Sequence, residues 1–383
     1  MMWLYAALFF ALSGVHLERR DILLPLCLGL FLSGGLAVCN HLGWDALGFC
    51  TPLRETDRGR YISTLGNINF AGAYLTLALP VAAGAMLTEE RAGIRALLAA
   101  VCVTGLWAAM AVRSECAVLG VGAALAALPL LTKKSPDALR RYPLLLTGTA
   151  LSLLAYRAVV YDFGERLSSL GRYLSEPAVT LPLAALGLAA YALLRRRSER
   201  TLERVRRVYA GVLLAALAAG AALLVLFNTA WSAVPLGGME EWLRFSDAWG
   251  TDRGGIWKYC LSLYGEFPFW QKLVGGGCGV LAALDVQHRH FPDAILDAAH
   301  CEYLQLLLNW GLLGLGTYLA WLVLALRRAL RRGGSFALPL AAGLIGYSVQ
   351  AAVNIAQAPG ISLFFVLLAA AHGQIDAEEL TCG

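Results

Sequence analysis

Residues 210–227 read AGVLLAALAAGAALLVLF, eighteen positions without a charged or hydrogen-bonding side chain. A helix rises about 1.5 Å per residue, so this stretch comes close to the roughly 30 Å of a bilayer's hydrocarbon core. It is apolar on every face, unlike a helix with one face in water. Neither it nor Pro182–Leu194 shows the alternation of a membrane strand, which speaks against an outer-membrane barrel. Working outward, comparable stretches lie at about 2–16, 22–40, 69–87, 95–112, 117–132, 143–160, 178–194, 303–326, 336–355 and 360–373, making eleven with 208–227. The expected fold is all-α: a polytopic integral membrane protein of about eleven transmembrane helices. The first stretch lacks a basic leader and the next follows at once, which favours a retained span over a cleaved signal peptide.

Composition agrees. Of 383 residues 15% are charged and 58% hydrophobic, with a mean hydropathy of +0.63, where a soluble chain carries roughly 25% charged residues. The formal charge of +5 is distributed as short basic clusters between apolar stretches, so it marks topology and lipid headgroups, not nucleic acid. The clusters are Arg19–Arg20, Arg91 and Arg95, Lys133 to Arg141, Arg195 to Arg207 with seven arginines, and Arg327 to Arg332 with four. They fall in alternate loops, which should be cytoplasmic. The loop 41–68, the turn at Arg113–Cys116, the loop 161–177 and the long segment 228–302 then lie outside. This gives an N-terminal membrane part (1–227), an extracytoplasmic loop (228–302) and a C-terminal membrane part (303–383) of one integrated domain.

A connector as long as 228–302 usually carries function or hidden secondary structure. Its tryptophans 231, 242, 249, 257 and 270 suit the membrane interface. Thr251 or Asp252 can cap a helix over 253–266 that Pro268 stops, with Ile256, Trp257, Cys260, Leu261 and Tyr264 on one face. Gly275, Gly276, Gly277 and Gly279 then read as a flexible turn, without the preceding strand or the spacing of a nucleotide-binding loop. Nine cysteines include no Cys-x-x-Cys pair and no zinc-like spacing, so no metal is expected.

The middles of the spans are empty of charge, and Arg58, Arg60, Arg113, Glu115, Arg157, Asp162, Arg253 and His300 gather at outer ends. A transporter would place ionisable groups at the midplane and break paired helices with Gly or Pro. An outer rim of arginines suits a phosphate-bearing ligand, since guanidinium forks grip phosphate oxygens in pairs. Arg253 opens the loop helix, whose free amides and dipole would reinforce anion binding. Its alternative role is an interfacial arginine reaching to headgroups. Among the histidines, His16, His41 and His372 sit at span ends, and His288 and His290 flank Arg289 in a polar loop. His300 stands apart, three residues after Asp297 at the start of an apolar helix. A carboxylate one turn earlier can raise an imidazole's basicity, as a general base needs, and a capping histidine is the plainer alternative.

Three blocks carry a resemblance. Arg60 followed by Ser63-Thr64-Leu65-Gly66-Asn67-Ile68-Asn69, then Asp252-Arg253-Gly254-Gly255-Ile256-Trp257 with Pro268 and the glycine turn, then His300-Cys301-Glu302-Tyr303-Leu304-Gln305 with Gly311-x-x-Gly314, together resemble the O-antigen ligase and polymerase superfamily. Gly346 to Asn354 is similar to that family's penultimate helix. The resemblance implies a C-type membrane glycosyltransferase, inverting and independent of metal or cofactor, acting outside the bacterial cytoplasmic membrane on a glycan carried by undecaprenyl pyrophosphate. Its implied roles are His300 as base, with Asp297 and Glu302 orienting it, and Arg60, Arg253, Arg113, Asn67, Asn69, Trp257, Tyr303 and Gln305 holding pyrophosphate and glycan. The acceptor would be a hydroxyl of lipid A core or of another glycan or lipid-anchored molecule. Cys301 replaces the family's Asn, Ile68 its Pro, and Arg113-Ser114 reverses its Ser-Arg. A surface-polysaccharide polymerase of the same superfamily, and a flippase of the lipid-linked glycan, are the alternatives. The ligase reading expects Arg60, Arg253 and His300 around one outward-facing cavity.

Overall fold

The computed structural model describes residues 2–15, 17–162, 164, 167–288 and 296–373. His16, Arg289, His290, Cys382 and the side chain of His288 lie outside this description. The helices are α1 (Met2–Ser13), α2 (Arg19–His41), α3 (Glu55–Arg58), α4 (Ile68–Thr88), α5 (Ala92–Ala111), α6 (Glu115–Leu131), α7 (Pro136–Asp162), α8 (Ser169–Leu174), α9 (Pro177–Leu194), α10 (Glu199–Asn228), α11 (Glu240–Leu243), α12 (Trp249–Glu266), α13 (Phe269–Val274), α14 (Val280–His288), α15 (Glu302–Arg332), α16 (Ala337–Ala351) and α17 (Ala358–His372). Between α3 and α4 a two-residue antiparallel ladder pairs β1 (Tyr61–Ile62) with β2 (Gly66–Asn67). Eight helices are long and apolar enough to cross a membrane, and α1, α16 and α17 are apolar but shorter. The chain therefore has the helices of a multi-pass membrane protein.

Two compact units emerge. The first contains the described residues up to Arg204, with Leu322–Gln350 and the chain from Ala356; the second contains Val205–Trp321 and Ala351–Ile355. In the first unit α4 is the axial helix, packed by α2, α5, α6, α7 and α17, with α9 against α7 and α1 against α17. All five basic loops meet at one end of this unit. Buried Glu89 takes Arg91 Nε at 3.1 Å and Arg19 Nη2 at 3.6 Å. Arg141 donates to the carbonyls of Leu87 and Glu89 at 3.1 and 2.7 Å, supplying partners that the C-terminal turn of α4 lacks. Arg140 donates to Arg197 O at 3.0 Å, and Lys134 donates to Arg331 O.

The second unit is built on α12. Its buried stripe is Ile256, Tyr259, Cys260, Leu263 and Phe267, joined by Leu281, Leu296, Ala299 and Leu308. Leu261, expected on that face, is 52% exposed, because the buried face is centred one position further round the helix, on Leu263. The expected side-chain cap is absent too. Gly250, Thr251 and Asp252 all have positive φ, Thr251 Oγ1 turns back to Gly250 O, and the Gly255 amide is taken by Asp247 O at 2.9 Å. A Cβ at Gly254 would lie 1.9 Å from Ser246 O, so only glycine admits this strand of backbone over the helix start.

α15 is not one continuous span. It breaks at Gly311 (φ 64, ψ −167), freeing the carbonyls of Leu308 and Asn309 from their partners a turn onward. The glycine turn satisfies them: Gly276 N donates to Leu308 O at 2.8 Å and Gly277 N to Asn309 O at 3.0 Å. A Cβ at Gly275 would meet Asn309 C and O at 2.3 Å, and one at Gly311 would meet Leu273 O at 2.3 Å. The turn expected to be flexible is thus docked on the break. The apolar run at 336–355 also divides, α16 ending at Ala351 before an irregular passage to α17.

Candidate functional site

The third block begins on irregular backbone. Residues Leu296 to Cys301 form an irregular segment that lies on the core of the second unit and delivers His300 to the start of α15. His300 has φ 48, a left-handed conformation costing a non-glycine residue roughly 1–2 kcal/mol. Cys301 is buried at the N-cap position, and the amides of Tyr303 and Leu304 point at its sulfur. Burial pushes this thiol up despite those amides. Cys301 therefore provides an acceptor at the cap, its sulfur in the place of a side-chain oxygen.

Asp297 is exposed and precedes the helix by five residues, so it is not a helical neighbour of His300; its influence is through space. Burial first, then the positive charge of Arg253, hold the His300 imidazole below its ordinary value, while Asp297 pulls the other way. Among the described residues no hydrogen bond engages the His300 ring. Glu302 does not orient it: this buried carboxylate accepts from the Tyr318 hydroxyl at 2.9 Å. Tyr303 lies half-buried with its ring 6.4 Å from that of Tyr318. Gln305 is committed to the protein at both ends, Oε1 accepting from Ala299 N at 2.9 Å and Nε2 donating to Asn309 Oδ1 at 3.2 Å.

Arg253 and Trp257 stand one helical turn apart on α12. Arg253 Nη1 donates to Gly250 O at 2.9 Å, but its buried Nε and the buried Nε1 of Trp257 have no acceptor among the described residues. The Trp257 ring stacks on Phe245 at 6.2 Å and leans on Trp249 at 5.3 Å. The tryptophans of the loop thus divide: 242, 249 and 257 are half-buried in the unit, while Trp231 and Trp270 are 45% and 62% exposed. The α12 amide expected to be free for an anion is engaged at Gly255.

The first unit carries the remaining residues. Asn67 caps α4 by accepting from Asn69 N at 2.8 Å, and Asn69 Oδ1 accepts from Ser114 Oγ at 3.1 Å. Ile68 N donates to Arg60 O at 3.0 Å, extending the ladder with an N–H that a proline at this position would lack. The Arg60 side chain is exposed, and Arg113, at φ 52, is exposed where α5 turns into α6. At this end a cleft of about 490 Å³ is lined by Asn40, His41, Asp45, Arg58, Tyr61 and Arg113, among others. Arg60 does not line it; Arg58 does. Desolvation pushes Asp45 up, but the Thr51 hydroxyl and the amides of Thr51, Cys50 and Phe49 hold its carboxyl below the ordinary range. That carboxylate is bonded locally, and the cleft's two guanidinium groups outnumber its one negative charge. Arg58 belongs to the outer arginines that the sequence marked for a phosphate-bearing ligand, whereas His41 was placed only at a span end. Among the described residues no cluster of three or more His, Cys, Asp or Glu could hold a metal.

No family model, curated protein or solved structure matches this chain.

Proposed function

We propose that this chain is an O-antigen ligase-like glycosyltransferase, moving a glycan from undecaprenyl pyrophosphate to an acceptor hydroxyl on the outer face of a bacterial cytoplasmic membrane. The observation that carries this reading is a half-buried imidazole in the same unit as Arg253, whose charge, after burial, holds it below its ordinary value. A neutral His300 can accept the acceptor's hydroxyl proton. The resulting oxygen nucleophile bonds to the anomeric carbon while the bond from that carbon to the pyrophosphate oxygen breaks, its electron pair leaving with the lipid carrier. Arg253 offsets the negative charge growing on the departing pyrophosphate, an electrostatic task for a fixed cation. Displacement in one step inverts the anomeric configuration. The cleft lined by Arg58 and Arg113 adds support, as its size and charge suit a phosphate-bearing ligand.

The test is transfer of a labelled glycan from undecaprenyl pyrophosphate to acceptor in proteoliposomes. His300→Ala and Arg253→Ala should each lower the rate by at least about a hundredfold, within the range of losing a general base or a transition-state charge partner. Wild-type rates in both variants would overturn the mechanism. Movement of the lipid-linked glycan across the bilayer without transfer would favour a flippase. Growth of a polymer in place of a single addition would make the enzyme a polymerase.

A further inference from the structure

We propose that Gln305 and Asp285 are positioning residues that clasp the segment leading into His300 at two of its amides and fix the direction of its imidazole. This rests on the transfer reading for its kinetic consequence, but the clasp itself is independent of it. Asp285, on α14, is 2% exposed and accepts from Leu296 N at 2.8 Å. Tyr259 packs beside it, its phenol pushed up by burial and by the Asp285 carboxylate. Gln305, on α15, accepts from Ala299 N. Leu296 and Ala299 are 9% and 0% exposed, so either amide left without its partner would cost about 1–3 kcal/mol.

The clasp matters because of what lies next to it. The left-handed His300 persists only where its surroundings over-determine it. Gln305 fixes the Ala298–Ala299 peptide, one residue before His300, and the Cys301 sulfur takes the amides of Tyr303 and Leu304 in the first turn after it. Gln305 is held by Asn309, whose own carbonyl receives Gly277 N. A chain of hydrogen bonds therefore runs from the glycine turn, through the broken part of α15, to the amide of Ala299, the residue before the proposed base.

Gln305→Met keeps the side-chain length and removes the acceptor; Gln305→Glu keeps the oxygen facing Ala299. Hydrogen exchange of the peptide covering 296–304, measured on purified full-length protein, should quicken roughly tenfold or more for Gln305→Met, the factor expected when one net hydrogen bond is lost. Gln305→Glu and Asp285→Asn, each retaining an oxygen acceptor, should stay near wild type. In the transfer assay Gln305→Met should lower kcat about tenfold or more with KM within about twofold, as for a slightly misplaced catalytic group. Gln305→Glu should recover most of that loss. Unchanged exchange in Gln305→Met would overturn the clasp, and so would a raised KM with unchanged kcat, which would make Gln305 a substrate contact. If the wild-type protein transfers no glycan, the exchange result still decides the clasp, and only the transfer reading falls.

Discussion

At His300 two charges of opposite sign compete, and the pH dependence of transfer should report both. Burial and Arg253 depress the imidazole and Asp297 raises it. Activity should therefore be lost on the acid side only below the ordinary histidine value of 6.5, since the base must be neutral to work. Removing the cation with Arg253→Gln should move the acid limb of the normalised rate profile upward. Removing the anion with Asp297→Asn should move it further down. Limbs shifting in the reverse directions would mean that another group titrates. The sequence made His300 conspicuous through its neighbours, but it suggested a helical Asp297. The left-handed turn at 300 and the capping thiol at 301 depend on where α15 begins, which the tertiary packing of Ala299 sets. Asp285 did leave a trace, as the one acid in the apolar run Val280–Val286.

At the scale of elements, the break in α15 and its docked turn make a quantitative expectation. Gly311 has a φ/ψ pair open essentially to glycine alone, and the space where its Cβ would go is filled by Leu273 O. Gly311→Ala should destabilise the protein by about 3 kcal/mol or more, combining backbone strain with overpacking. Gly275→Ala should be comparably damaging. Gly265→Ala, in a helical, open position of α12, should be neutral or stabilising by up to about 1 kcal/mol. Thermal unfolding in detergent would rank the three, and equal effects would contradict the break. Composition places α15 correctly but cannot choose among Gly311, Gly314 and Gly316 as the hinge. That choice is made by residues 273–277, whose backbone reaches Gly311 and no other. The start of α12 was hidden for a similar reason. Its left-handed triplet is set by the Ser246–Asp247 backbone crossing over Gly254.

For the whole molecule, the apolar runs were legible because a bilayer imposes length and hydropathy together, and the helices fall where those runs do. The gathering of five basic loops at one end of the first unit adds a geometric companion to the charge pattern. With those loops cytoplasmic, native Cys278, which is exposed, should react with a membrane-impermeant maleimide in intact spheroplasts of a variant that retains it alone. Arg200→Cys on a cysteine-free background should react only after permeabilisation. The opposite outcome would invert the topology and place His300 on the cytosolic side. The division into two units was not legible, since it cuts through the helices α10, α15 and α16 themselves.

The docking of residues 275–277 on Leu308 and Asn309 also orders biogenesis. The ribosome makes the turn before the carbonyls it must satisfy, so a nascent chain ending near residue 300 holds donors with nothing to receive them. Closure of the loop is consequently a late event, coupled to threading of the next helix, and a chain stalled there should expose the loop to protease until synthesis resumes.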